Sequence, residues 1–230
     1  MRSLHAIVFD FDGVIADSER LHLRAYQEVL APEGVAISTE QYLDRYLGYD
    51  DVGVFKAVAR DYGLHIDDDR ITELIARKGA RYESLAAAGE MLFPGAAEFV
   101  RSAAAAGIPI AIASGALTHE IEDVLHRAEL LPLFPVIVGA DQTAHSKPHP
   151  DPYQTAFARL RSHSGRDLLA TRSVAIEDSR WGLVSARAAG LRCVAVTNTY
   201  NAEELRSDAE LVVDGLNTLT LDALDRLCAA

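Results

Sequence analysis

Six short apolar runs recur along the chain, HAIVF, IPIAIAS, PVIVG, SVAIE, RCVAV and ELVVD, each bounded by Gly, Pro or Asp. Runs of this length, apolar at consecutive positions, read as strands buried on both faces. Between most of them lie helical patterns: after Pro94, from Leu117 to Ala128, from Asp151 to Arg161, and from Gly182 to Ala189. Parallel neighbours need long crossover connections, so this alternation predicts an α/β chain with a parallel sheet covered by helices on both faces. Gly107 and Gly190 stand where two of the helices should stop in left-handed caps, with the next strand following directly.

The alternation is interrupted once. After the first strand no second one is expected until Ile108, and the intervening LHLRAYQEVL, TEQYLDRYL, VFKAVARDY and ITELIARKGARYESL carry apolar residues at three and four spacing. Pro32-Glu33-Gly34 and Asp67-Asp68-Asp69 supply turns between them. The expected organisation is a Rossmann-like core, residues 1–17 and 90–230, with an inserted α-helical domain over 18–89. The chain would cross near Ile15 to Ser18 and near Ala88 to Phe93, and Pro94-Gly95 would restart the sheet domain.

Charge narrows the partners. With 22 Lys+Arg against 34 Asp+Glu the net charge is −12, which argues against a nucleic-acid or anionic-membrane footprint and makes cations the easier partners. Cys193 and Cys228 have neither metal-type spacing nor a disulfide framework, which suits a reducing compartment, and no run reaches the roughly 20 apolar residues of a membrane span. The N-terminus MRSLHAIVFDFDG lacks a long apolar stretch ending in a small-residue cleavage site. A cytoplasmic protein with no obligate protein partner is expected.

In IVFDFDGV an apolar strand delivers Asp10 and Asp12 to its carboxyl end, where open α/β sheets bind ligands. Two carboxylates on one face favour a cation or a shared proton. They also offer a nucleophile and a general acid-base. The simpler reading is an Asx turn with solvated carboxylates. SVAIEDS places Glu177 and Asp178 at another strand end; an N-cap is the competing explanation, for which Ser179 also serves. Four acids in one mouth would call for a hard cation such as Mg2+. Ser114 and Gly115 follow IAIA, where a hydroxyl and unpaired N–H groups would cradle phosphate. Lys147, in the proline-stiffened AHSKPHPDPY, could neutralise phosphate or lie solvated on the surface. His145 and His149 are four apart, but Pro148 argues against a helical metal pair. Trp181, Tyr42 and Tyr46 read as packing residues. No G-x-x-x-x-G-K-[ST], G-x-G-x-x-G or G-x-S-x-G occurs.

Taken in order, Asp10-x-Asp12-Gly13, Ser114, Lys147 and Glu177-Asp178 resemble the four motifs of the haloacid dehalogenase superfamily. The helical insert and DSERLH, Asp17 to His22, are similar to the cap of its β-phosphoglucomutase and phosphoglycolate phosphatase branch. The resemblance implies that Asp10 is a nucleophile forming an aspartyl phosphate and that Asp12 is the general acid and then base. It implies Mg2+ held by Asp10, Asp178, the Asp12 carbonyl, and Glu177 directly or through water. Ser114, Gly115 and Lys147 would bind the phosphoryl group, and Arg20 and His22 at the cap start could touch substrate.

The expected activity is Mg2+-dependent hydrolysis of a small phosphorylated metabolite. Asp12 separates the chain from the superfamily's dehalogenases, which do without it. A sugar-phosphate mutase is the alternative, and a phosphate-binding regulator without catalysis a further one. Against the mutase, the cap loop YLGYDDVG has Asp50 and Asp51 where β-phosphoglucomutases carry a Ser-Arg pair, and Gly115 to Thr118 lack their Lys-Asn pair. Lys56, Lys78 or Arg81 could substitute.

Overall fold

The computed structural model describes residues 2–46, 49, 51–87 and 91–229. These fall into two compact units, Met1–Asp17 with Leu92–Ala230, and Ser18–Met91. Strand β1 (Ala6–Phe9) is followed by four helices of the second unit, α1 (Ser18–Leu30), α2 (Thr39–Arg45), α3 (Asp51–Tyr62) and α4 (Asp68–Ala87). The first unit then resumes with α5 (Ala96–Ala105), β2 (Ile110–Ala113), α6 (Thr118–Arg127), β3 (Val136–Val138), α7 (Asp151–Ser164), β4 (Ser173–Glu177) and α8 (Arg180–Ala188). It ends with β5 (Arg192–Val196), α9 (Ala202–Leu205), β6 (Leu211–Val213) and α10 (Leu221–Ala229).

The six strands form one parallel sheet in the order β3-β2-β1-β4-β5-β6, each on one of the apolar runs. Alternation along the strands divides the core in two, because successive side chains point to opposite faces. Ile7, Phe9, Ile110, Ile112, Val174 and Ile176 pack on one face with Phe99 of α5, Ile121 of α6 and Leu224 of α10. Phe9 meets Phe99 and Phe134 edge to face at ring separations of 6.2 and 6.0 Å. The opposite face is built from smaller residues, Ala6, Val8, Ala111, Ala113 and Ala175, and receives Tyr153 and Leu160 of α7 and Leu183 and Ala186 of α8. Gly107 and Gly190 take φ values of 69° and 84°, the left-handed caps expected of them. The short α9 and terminal α10 were not anticipated.

The second unit has its own apolar centre, in which Tyr26, Tyr42, Tyr46, Phe55 and Leu74 are buried. Tyr42 and Tyr46 thus pack as expected. A capping box starts α2, with the Ser38 hydroxyl accepting from the Gln41 N–H at 3.1 Å and the Gln41 side chain accepting from the Ser38 N–H at 3.0 Å. Among the described residues no helix is long and apolar enough to cross a membrane.

Candidate active site

From β1 the sheet grows one way to β2 and β3 and, after β4, the other way to β5 and β6. Such a reversal leaves a crevice outside the carboxyl ends of the two strands at the switch point. Those strands are β1 and β4, paired through Phe9 and Ile176, and the acidic residues lie at their ends. Asp10 follows β1 and donates its N–H to the Ile176 carbonyl at 2.9 Å. Glu177 is the last residue of β4, and Asp178 comes next.

Lys147 reaches this point from the loop before α7, in which the Lys147–Pro148 peptide is cis. Its Nζ lies 2.8 Å from Asp10 Oδ1 and 2.7 Å from Glu177 Oε1. The surface alternative for Lys147 is overturned by these contacts. Glu177 is fully buried and surrounded by donors. Its Oε1 accepts from Lys147 at 2.7 Å and from the Tyr153 hydroxyl at 3.0 Å. Its Oε2 accepts from the Asp178 and Ser179 N–H groups, both at 3.0 Å, and from the Ser179 hydroxyl at 2.9 Å.

Close packing explains two glycines. A Cβ on Gly13, whose φ is 76°, would lie 1.9 Å from Asp178 Oδ2, and one on Gly182 would lie 1.6 Å from Glu177 Oε1. The Gly13 carbonyl is itself held by the Asn198 side chain at 2.8 Å.

Negative charge here exceeds positive. Burial, then repulsion from Glu177 and Asp178, raises the Asp10 carboxyl well above the usual carboxylate range against the pull of Lys147. Burial and the charge of Glu177 push Asp178 up to about 7, against a hydrogen bond from Thr199. Burial acts on Glu177 in the same sense, but Lys147 and the Ser179 N–H outweigh it and leave its carboxyl below the ordinary value. Lys147 is held above its ordinary value, because Asp10 and Glu177 outweigh the opposing effect of burial. Carboxylate oxygens of Asp10, Glu177 and Asp178 lie within 4.8 Å of one another, all three residues buried. Three hard oxygen donors with a single ammonium between them fit a divalent ion of the Mg2+ type.

The other expected residues divide. Asp12 is half-buried and bridges to Ala16 through its backbone; its carboxylate is not part of the convergent triad. Ser114 is buried directly after β2. The anticipated row of unpaired N–H groups beyond it is largely absent, because those of Ser114, Ala116, Leu117 and Thr118 bond to Val138 O, Ser114 Oγ, Glu120 and Asp141. Of the groups expected to cradle phosphate, these bonds leave the Ser114 hydroxyl as a donor and do not engage the Gly115 N–H. Trp181 is 66% exposed, so the packing expectation for it is corrected: it sits on the outward side of α8. His145 and His149 stack at 4.3 Å between ring centres, brought together by the loop and not by a helix.

In the second unit Arg20 is exposed, while His22 is half-buried and stacks on Tyr82 at 4.3 Å. His22 Nδ1 lies 2.8 Å from Lys78 Nζ; burial, then this ammonium, lowers the imidazole to about 4. Lys78 is only 3% exposed, with its Nζ 2.7 Å from Asp51 Oδ1 and 4.8 Å from the centre of the Tyr26 ring. Asp51 also accepts from the Tyr26 hydroxyl at 2.5 Å. Asp50 lies outside the described residues. Burial of Lys78 was not foreseen, although Ile71, Leu74, Lys78 and Leu85 share one helical stripe in which it replaces an apolar residue. Tyr153, Asn198 and Thr199 were also missed, since no local pattern marks a residue that only supports a carboxylate.

The family model described as haloacid dehalogenase-like hydrolase matches residues 7–196. Protein CbbY of Rhodobacter capsulatus is 32% identical over 97% of this chain and 99% of its own. Hexitol phosphatase B of Escherichia coli is 33% identical over 97% of this chain and 95% of its own. The crystal structure of CbbY from Rhodobacter sphaeroides in complex with phosphate matches with a TM-score of 0.68 at 31% identity, covering 96% of this chain and 99% of that one. A variant of the same protein, in complex with xylulose-(1,5)bisphosphate, matches equally. By sequence over nearly its whole length, and by a sheet with its acidic residues at the switch point, the chain belongs to the haloacid dehalogenase-like hydrolase family.

Proposed function

We propose that this hydrolase is a Mg2+-dependent phosphatase of a small sugar or polyol phosphate, working through an aspartyl phosphate on Asp10. The carrying observation is Asp10 itself, a buried carboxylate after the central strand, 2.8 Å from the Lys147 ammonium and within a triad too acidic to be left uncompensated. Names of relatives, hexitol phosphatase and a CbbY holding a sugar bisphosphate, support the substrate class.

In this reading an Asp10 oxygen attacks phosphorus while the bond to the leaving oxygen breaks, and Asp12 gives that oxygen its proton. Asp12 then takes a proton from water, whose oxygen attacks phosphorus and releases Asp10 and inorganic phosphate. Lys147 and the Ser114 hydroxyl, with Gly115, hold the phosphoryl oxygens, and Glu177 with its several donors keeps Lys147 in place. Asp10, Asp178 and the Asp12 carbonyl would hold the metal, with Glu177 joining them through water or by giving up a present donor. When bound, Mg2+ offsets the repulsion between the phosphoryl group and the carboxylates. Buried free thiols at Cys193 and Cys228 suit action in the reducing cytoplasm.

A single phosphate fits better than two. The cap cations that could have held a second one are each ion-paired, Lys56 with Asp68 at 3.5 Å, Lys78 with Asp51 at 2.7 Å and Arg81 with Glu28. Phosphate release from hexitol and pentose mono- and bisphosphates, beside isomerisation of β-glucose 1-phosphate with a trace of the bisphosphate, tests the proposal. Monoester hydrolysis should lead. Faster glucose 6-phosphate formation would establish the mutase, and no turnover of any ester with Mg2+ would leave the regulator.

A further inference from the structure

We propose that the loop carrying Lys147 holds a second, chemically different metal site, in which His145, His149 and Asp151 bind a borderline divalent ion of the zinc, nickel or copper class. One ligand atom from each of the three lies within 4.8 Å of the others, with both histidines exposed and Asp151 half-buried. His145 Nδ1 and Asp151 Oδ2 are 3.7 Å apart. Bonds of about 2.0–2.2 Å in a tetrahedron put neighbouring donors roughly 3.3 Å apart. The two rings stack at 4.3 Å between centres, so binding requires them to turn out of the stack until both ring planes meet at the ion.

The loop is built to keep these groups together. Asp151 Oδ2 accepts from the N–H groups of Ala144 at 2.9 Å and His145 at 3.1 Å, which folds the loop back onto the start of α7. These bonds, that to His145 first, hold the carboxyl below its ordinary value; they occupy both lone pairs of Oδ2, so a metal would bind through Oδ1 or displace one of them. The His149 N–H donates to the Ser146 carbonyl at 3.0 Å, and the His149 carbonyl accepts from Ser185 Oγ at 2.6 Å. Pro148, Pro150 and Pro152 restrict φ on either side. The opposing element is a 3.2 Å hydrogen bond from the Asp151 N–H to His149 Nδ1. Ligation at Nδ1 would replace it; ligation at Nε2 would move the ring proton to Nδ1 and break it. Either way, at His149 one long hydrogen bond is exchanged for a metal bond.

Ligand chemistry separates the two sites. The Asp10, Glu177 and Asp178 triad offers only oxygen and suits Mg2+, whereas paired imidazoles favour later transition ions, copper above nickel or zinc. Water would complete the coordination of this exposed site.

Titration of chelator-stripped protein with Zn2+ under saturating Mg2+, together with the paramagnetic resonance spectrum of one added Cu2+, tests the proposal. One Zn2+ equivalent is expected, with Cu2+ hyperfine structure from two imidazole nitrogens. His145→Ala and His149→Ala should each weaken Zn2+ at least tenfold, and the double variant should lose the equivalent and the nitrogen signature while keeping Mg2+-dependent turnover. Asp10→Asn should retain both. Absence of the equivalent in the wild type, undiminished binding in the double variant, or loss of binding in Asp10→Asn would overturn the proposal.

Discussion

Each unit of this molecule holds a lysine whose ammonium is paired with carboxylate, Lys78 buried and Lys147 nearly so, and the two are compensated differently. Lys147 faces Asp10 and Glu177 with Asp178 close by, so three acids surround one ammonium. Lys78 faces Asp51, a histidine held neutral by burial, and the faces of Tyr26 and Tyr82. One cluster carries unbalanced charge and the other balances itself. Burial of an ion pair is therefore not what distinguishes the proposed catalytic site; the surplus is.

The largest effect that could break this comparison is catalytic. Asp10→Asn should lower kcat by roughly a thousandfold or more, because an amide of nearly the same shape is a poor nucleophile, while thermal stability holds or rises with one buried charge fewer. Near wild-type turnover would remove Asp10 from its role. Chelation should likewise abolish activity and Mg2+ restore it; full activity in metal-free buffer would mean that the acids are balanced without an ion.

Stability comes next. Asp51→Asn leaves Lys78 buried without its carboxylate, a loss of about 3–5 kcal/mol, whereas Asp51→Asn with Lys78→Met should return to within about 1 kcal/mol of wild type. Urea midpoints read both. Neither should respond to Mg2+, while the similar loss expected of Lys147→Met should be partly recovered by it. A Mg2+ response at Asp51, or none at Lys147, would blur the distinction.

The smallest effects are those of pH, and they have opposite signs. In metal-free protein Asp178, raised to about 7, contributes stability that is present below about 4 and lost as pH rises through 7; Asp10 acts in the same direction. His22, lowered to about 4, contributes stability that is present above about 6.5 and lost as pH falls through 4, reduced by its partial exposure. Amide exchange should show β1 and β4 loosening toward neutral pH, a trend that Mg2+ cancels, and α1 and α4 loosening in acid. Parallel trends in the two units would contradict the assignment.

Much of the sheet was legible beforehand because strands buried on both faces leave uninterrupted apolar runs. Asp10, Glu177 and Asp178 were legible because each ends such a run. Strand order was not, since a run states that it is buried and not beside what. Lys147 was legible in type but not in burial, which depends on Tyr153 and Glu177 arriving from separate elements. Ser114 shows the reverse: the amides around it looked like open donors, but those of Ser114, Ala116, Leu117 and Thr118 are taken by Val138 of β3, the Ser114 hydroxyl, Glu120 and Asp141. The histidines of the Lys147 loop were judged by helical spacing, and the loop joined them by another route. Lys78 could have been found only by treating a charged residue in an apolar stripe as buried.

The register of β1 bears on how the chain comes to be folded at all. Ile7 pairs with Ile110 on one side and with Val174 on the other, so β1 is made before either neighbour and waits for both. Residues 18–91, by contrast, are contiguous and have an apolar centre of their own. Vectorial synthesis would let that unit close while AIVF remains an unpaired, chaperone-accessible edge, with late, long-range closure as the slow event. Slow closure of this kind leaves β1, unpaired until its neighbours are made, as an aggregation hazard of the nascent chain.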